Sequence, residues 1–119
     1  MKATVKEIYS LELASRLEDY HPEDDLNFAI SVRMMIGPTN SGGSESFDLL
    51  VCTPNWIDGR CESGGAIWGR HMLIVSRYNW PMIKKKIDSF VDGCFGNDWP
   101  EIAQKLGSIA SWEFDDYQS

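Results

Sequence analysis

The chain lacks long apolar runs. No uninterrupted stretch of apolar side chains exceeds four residues, a length reached at Leu49–Cys52 and Met72–Val75. A membrane-spanning helix needs about twenty, so none is expected. The opening Met-Lys-Ala-Thr-Val-Lys-Glu places a glutamate where a secretory signal would carry a continuous apolar stretch, and a cytoplasmic location is the expectation. Cysteine is scarce and odd in number: Cys52, Cys61 and Cys94, with no Cys-x-x-Cys pair, fit reduced thiols in a cytosol. His21 and His71 stand fifty residues apart with no His-x-x-x-His, which fails the spacing test for zinc. Glu23-Asp24-Asp25 lacks the central glycine pattern of a calcium loop and reads as a solvated acidic turn. No glycine-rich segment opens a helix, because Gly42-Gly43 falls between two expected strands, so no phosphate cradle is present. No metal or cofactor is expected.

Positive charge is also in deficit. Eleven Lys+Arg stand against 18 Asp+Glu, a net of −7 that repels phosphate and argues against nucleic-acid binding. The one basic cluster, Lys84 to Lys86, reads as the wet side of an amphipathic helix. Seven carboxylates between Glu7 and Asp25, with Arg16 the only arginine among them, concentrate negative potential that would attract a basic partner and speed its encounter.

What remains is a chain of 119 residues that is 43% apolar and 24% charged, ordinary for one folded domain spanning 1–119. Residues 3–10 read as a half-exposed edge strand. Leu11 to Asp25 reads as a polar connection with one helical turn near Leu13–Leu17, ended by His21-Pro22. The clearest periodicity lies in 27–36, where Phe28, Ile30, Val32, Met34 and Ile36 alternate with Ala29, Ser31, Arg33 and Met35. Gly37-Pro38 is expected to break that strand, and 46–53 to return antiparallel to it. Pro54 to Gly65 is turn-rich, with one short helical turn at Trp56-Ile57. His71 to Val75, within a strand placed near 70–77, reads as a central strand covered on both faces.

The period then changes. Asn79 can cap a helix near 80–94 with a stripe of Ile83, Ile87, Phe90, Val91 and Cys94. Asp98-Trp-Pro-Glu101 is a capping-box variant opening a second helix near 98–111. The expected fold class is therefore α+β: an antiparallel sheet of about four strands with two C-terminal helices packed on one face.

For catalysis, Cys61 beside Arg60 and Glu62 is the one plausible reactive thiol, while Cys52 and Cys94 fall at positions where cysteine behaves as a small buried hydrophobe. No arrangement of nucleophile, base and orienting group can be read from the chain.

An ordered series of motifs carries a resemblance across nearly the whole chain. It comprises Met1-Lys-Ala, Tyr20-His-Pro-Glu-Asp24 with Asn27-Phe28, Met35-Ile-Gly-Pro38 and Glu45-Ser-Phe-Asp48. It continues with Val51-Cys-Thr-Pro54 and Trp56, Gly69-Arg-His71 with Leu73-Ile-Val75, and Trp112-Glu-Phe-Asp-Asp-Tyr117. In these the chain resembles the immunity protein 8 group of bacterial polymorphic toxin and contact-dependent growth inhibition systems. The resemblance implies a non-catalytic inhibitor that binds the C-terminal domain of one cognate toxin in the cytosol, as a monomer or weak homodimer. Many such toxins are nucleases with cationic clefts, which carboxylates would occupy or flank in place of phosphate.

The densest candidates for toxin contact are Glu18, Asp19, Glu23, Asp24 and Asp25, followed by Glu113, Asp115 and Asp116. Trp56 and Trp68 flank the stretch Asp58 to Ile67 as either exposed anchors or core residues. The competing readings are a small enzyme using Cys61 or His71, and an acidic regulatory or nucleic-acid-mimic domain without a toxin partner.

Overall fold

A computed structural model describes residues 1–115. In chain order the elements are β1 (Ala3–Tyr9), β2 (Ala29–Pro38), β3 (Glu45–Cys52), α1 (Pro54–Cys61), β4 (Met72–Ile74), α2 (Trp80–Asp92), α3 (Trp99–Leu106) and β5 (Ser111–Trp112). The class is α+β, as expected. The five-stranded sheet runs β1-β2-β3-β4, with β5 also paired to β3.

Alternation in β2 does what its period implies. Ile30, Val32, Met34 and Ile36 are buried, and Ala29, Ser31, Arg33 and Met35 are half-buried on the opposite face. The register places Val32 opposite Leu49 and Met34 opposite Phe47, so the apolar sides of β2 and β3 form one surface. Against it lie the stripes of α2 (Ile83, Ile87, Val91) and α3 (Ile102, Ala103, Leu106), all in the same core. Both helix starts follow the cap chemistry. Asn79 accepts a hydrogen bond from the Met82 N–H at 3.1 Å, and Asp98 accepts one from Glu101 at 3.0 Å. The Glu101 carboxylate returns to the Asn97 N–H at 3.0 Å, completing the box one residue early.

Four details depart from the sequence reading. Gly37-Pro38 does not break β2; both residues continue the ladder with β1. Gly37 is there because the chain crosses close over it: a Cβ would run into the Gly43 carbonyl. Pro54 to Cys61 is an eight-residue helix instead of a turn-rich stretch, started by Pro54 at its first position. The run at His71–Val75 is not a central strand covered on both faces. β4 is three residues at the sheet edge, pairing parallel to β3, with Ile74 57% exposed. Last, the chain past Leu106 leaves the helix and pairs Ser111-Trp112 antiparallel with β3.

One edge of β3 thus carries two short neighbours. β5 covers Phe47–Asp48 and β4 covers Leu50–Cys52, so Leu49 lies at the seam between them.

Candidate binding surface

The acidic segment is exposed and tied down from behind. Glu18, Asp19, Glu23, Asp24 and Asp25 all face solvent, while Leu17 beneath them is buried. Arg16 pairs with Asp19 at 3.1 Å and stands 3.6 Å from Glu18. Asp24 accepts the Leu26 N–H at 2.9 Å in a local turn, and Asp25 stands 3.9 Å from Arg77.

Tyr78 is the tether. Its hydroxyl donates to the Leu17 carbonyl at 2.6 Å, and its backbone N–H donates to the Asp25 carbonyl at 2.9 Å. Its ring meets Tyr20 and Phe28 edge-on, with centroids 5.1 and 5.3 Å away. Nothing local marks Tyr78 in the sequence, because its partner Leu17 is 61 residues away. Burial, with added negative potential from Tyr20 and Glu18, pushes its phenol up to about 12.

Folding therefore favours the protonated phenol. That contribution is complete below the ordinary tyrosine value of about 10 and is lost as pH rises toward the folded value. Tyr78→Phe is expected to cost about 1 kcal/mol at neutral pH. It should also flatten the fall in urea midpoint between pH ~10 and ~12 relative to the parent. Equal midpoints for the two proteins at every pH would show that the hydroxyl holds nothing.

The C-terminal candidates are not brought together with this segment. Glu113 clamps β5 to β3: its carboxylate accepts the Ser46 N–H at 2.6 Å, and its own N–H donates to the Ser46 carbonyl at 3.1 Å. The acidic segment leads into Phe28, whose N–H reaches the Thr53 hydroxyl just past the other end of β3. At about 3.3 Å per residue the two ends of that strand are roughly 20 Å apart. Asp115 is exposed beyond Glu113. Asp116 lies outside the described residues.

The motifs Glu45–Asp48 and Trp112-Glu113, separate in sequence, meet in space. The Glu45 carboxylate accepts from the Trp112 indole at 3.1 Å and from the Trp99 indole at 2.5 Å. Phe47 stacks on Trp112 with centroids 6.3 Å apart. Asp48 receives the two-pronged guanidinium of Arg33 at 2.8 and 2.9 Å on the opposite face of the sheet. Those hydrogen bonds, and the charge of Asp48, push Arg33 further above its ordinary value. These motif residues build the scaffold.

The two tryptophan candidates separate. Trp56 is half-buried on α1, with the Arg60 guanidinium 5.7 Å from its ring centroid. Trp68 is 91% exposed in the loop between α1 and β4, a loop that turns at Gly65 with φ of 75° and leaves Gly69 and Arg70 exposed. Of the cysteines, Cys52 and Cys94 are buried, and burial pushes both thiols up, away from the reactive thiolate; Cys61 is half-buried.

An exposed indole and a tethered acidic segment are thus carried on the sheet and helices of a small α+β domain. More particularly, the immunity protein 8 family model matches residues 3–117, and the chain belongs to that family of toxin-neutralising proteins. No curated protein matches the chain, and no solved structure does.

Proposed function

We propose that this protein is a cytosolic antidote. It binds the C-terminal toxin domain of a polymorphic or contact-dependent inhibition system stoichiometrically, as a monomer or weak homodimer, and obstructs it without chemistry of its own. The family match over residues 3–117 carries this reading. To outlast the toxin's substrate such a complex needs nanomolar affinity or better, about −12 kcal/mol, over roughly 1,200–2,000 Å². The exposed Trp68 supports a role as anchor, since buried aromatics supply most of the hold in interfaces of that size. Glu18, Asp19 and Glu23 to Asp25 support a role in steering toward a cationic cleft, such as that of a nuclease.

Co-expression with the product of the preceding gene tests the reading as a whole: rescue of growth and co-purification are expected, and unimpeded killing would refute it. The acidic part is tested by the triple change Glu23→Gln, Asp24→Asn, Asp25→Asn. Amides keep the acceptor that Asp24 gives Leu26, so the turn should survive. The association rate at low salt is expected to fall about tenfold or more, with a shallower salt dependence. Stopped-flow traces that match the parent at two ionic strengths would remove steering from this segment and leave the antidote reading standing.

A further inference from the structure

The seam on β3 opens into a groove that draws Gly69 to His71 and Leu73 from one sequence motif and the rest of its lining from elsewhere in the chain. Between β4, the turn before β5, and α2 lies a cavity of about 120 Å³ lined by Leu49, Met72, Leu73, Ile87, Phe90 and Ile109. An apolar cavity of ~150 Å³ takes up benzene, so this one has room for a branched aliphatic side chain or a small ring. Two shallower hollows extend it, one past Gly107 and Ser108 to Arg70 and His71, the other along Ser89 and Cys94 to Lys105.

The sign of the rim is the second observation. Lys86, Arg70 and Lys105 line these hollows and, among the described residues, no carboxylate does, in a chain whose net charge is −7. Lys105 is held by Glu101 at 3.8 Å and by the Phe95 carbonyl at 2.7 Å. Among the described residues, Lys86 and Arg70 make no ion pair, and both are exposed. The groove also begins beside the exposed indole, since Gly69 and Arg70 follow Trp68 directly.

An apolar hole with unpaired cations at its mouth is complementary to an apolar side chain flanked by carboxylates. We infer that the groove is a second contact region of the antidote, taking an apolar side chain carried on an anionic segment of the toxin domain. This rests on the proposed antidote function. It adds that the complex is held at two surfaces of opposite sign, the acidic segment and this basic-rimmed groove, which together fix the orientation of the toxin.

The test uses the full chain with the toxin domain encoded by the preceding gene. The double reversal Lys86→Glu, Arg70→Glu is expected to weaken binding by about 10–100-fold with an unchanged melting temperature, because both side chains are exposed. In a second arm, Phe90 is replaced by photoreactive benzoylphenylalanine and the complex is irradiated. The cross-link is expected to map to an apolar residue with Asp or Glu within a few positions of it. Parent-like affinity of the double variant would overturn the inference. So would a cross-link to a basic toxin segment, a cross-link to a second copy of this chain, or none in a complex that forms normally. Failure of the parent protein to bind the toxin domain would instead refute the antidote reading, and the groove assignment with it.

Discussion

Trp68→Ala is expected to weaken binding of the cognate toxin domain by roughly 30- to 1,000-fold while leaving the melting temperature unchanged. Truncating an aromatic anchor at the centre of an interface costs about 2–4 kcal/mol, and each ~1.4 kcal/mol is tenfold in affinity. The free protein has little to lose at this position. Trp68 is 91% exposed, its neighbours Gly69 and Arg70 are exposed, and surface changes of that kind stay within about ±0.5 kcal/mol of the parent. Calorimetric titration of the toxin domain, run beside thermal melts of the free variants, separates the two quantities. Unchanged affinity would remove Trp68 from the interface. A large drop in melting temperature would mean that the indole packs inside the protein, contrary to its exposure.

Phe47→Ala is expected to act the other way, on stability first. Phe47 is completely buried, stacks on Trp112 with an interplanar angle of 8°, and meets Trp99 edge-on with centroids 6.4 Å apart. Its loss leaves a cavity exactly where β5, α3 and the β2–β3 hairpin converge, and Phe→Ala in such a position costs about 3–5 kcal/mol. For a domain of this size that corresponds to a fall of roughly 10–20 °C in melting temperature. The urea midpoint should drop with little change in slope, because the surface exposed on unfolding is almost the same. Phe47→Leu, which refills part of the space, is expected to recover most of the loss. A cost below about 1 kcal/mol for Phe47→Ala would show that the aromatic cluster is not a stabilising centre.

These residues also show what could be read ahead of the coordinates. The alternation from Phe28 to Ile36 and the cap residues Asn79 and Asp98 are local signals that formed where their spacing placed them. The stripe of α2 did so at Ile83, Ile87 and Val91, whereas Phe90, read with them, is exposed and Cys94 is buried just past the helix end. The run Met72–Val75 carried no such information about position. Four apolar residues look alike whether a strand is central or at an edge, and only pairing to Leu50–Cys52 puts β4 at the edge and parallel. Ser111-Trp112 likewise sits at the end of a helical pattern, and the bonds from Trp112 to Glu45 and from Glu113 to Ser46 span 67 residues.

The candidate site divides along the same line. Exposure of the carboxylates from Glu18 to Asp25 follows from their charge, since ionised groups stay in water unless they are paired. That Trp68 stands in solvent while Trp112 lies 8% exposed against Phe47 does not follow from residue type, because both indoles carry the same apolar area and one donor. Nor could charge counting find the cations Lys86 and Arg70 gathered round an apolar groove in a chain of net charge −7.

Sequence alone determined the α+β class, the main hairpin, the two capped helices, the negative charge and the family resemblance, all of which depend on spacing within a few residues or on totals over the chain. Tertiary structure decided which acidic groups share a surface, which tryptophan faces water, and that a groove opens at Leu49. Those are set by contacts between distant segments, Tyr78 with Leu17, Trp112 with Phe47, and β4 and β5 on one edge of β3, and chain order does not encode them in any short pattern.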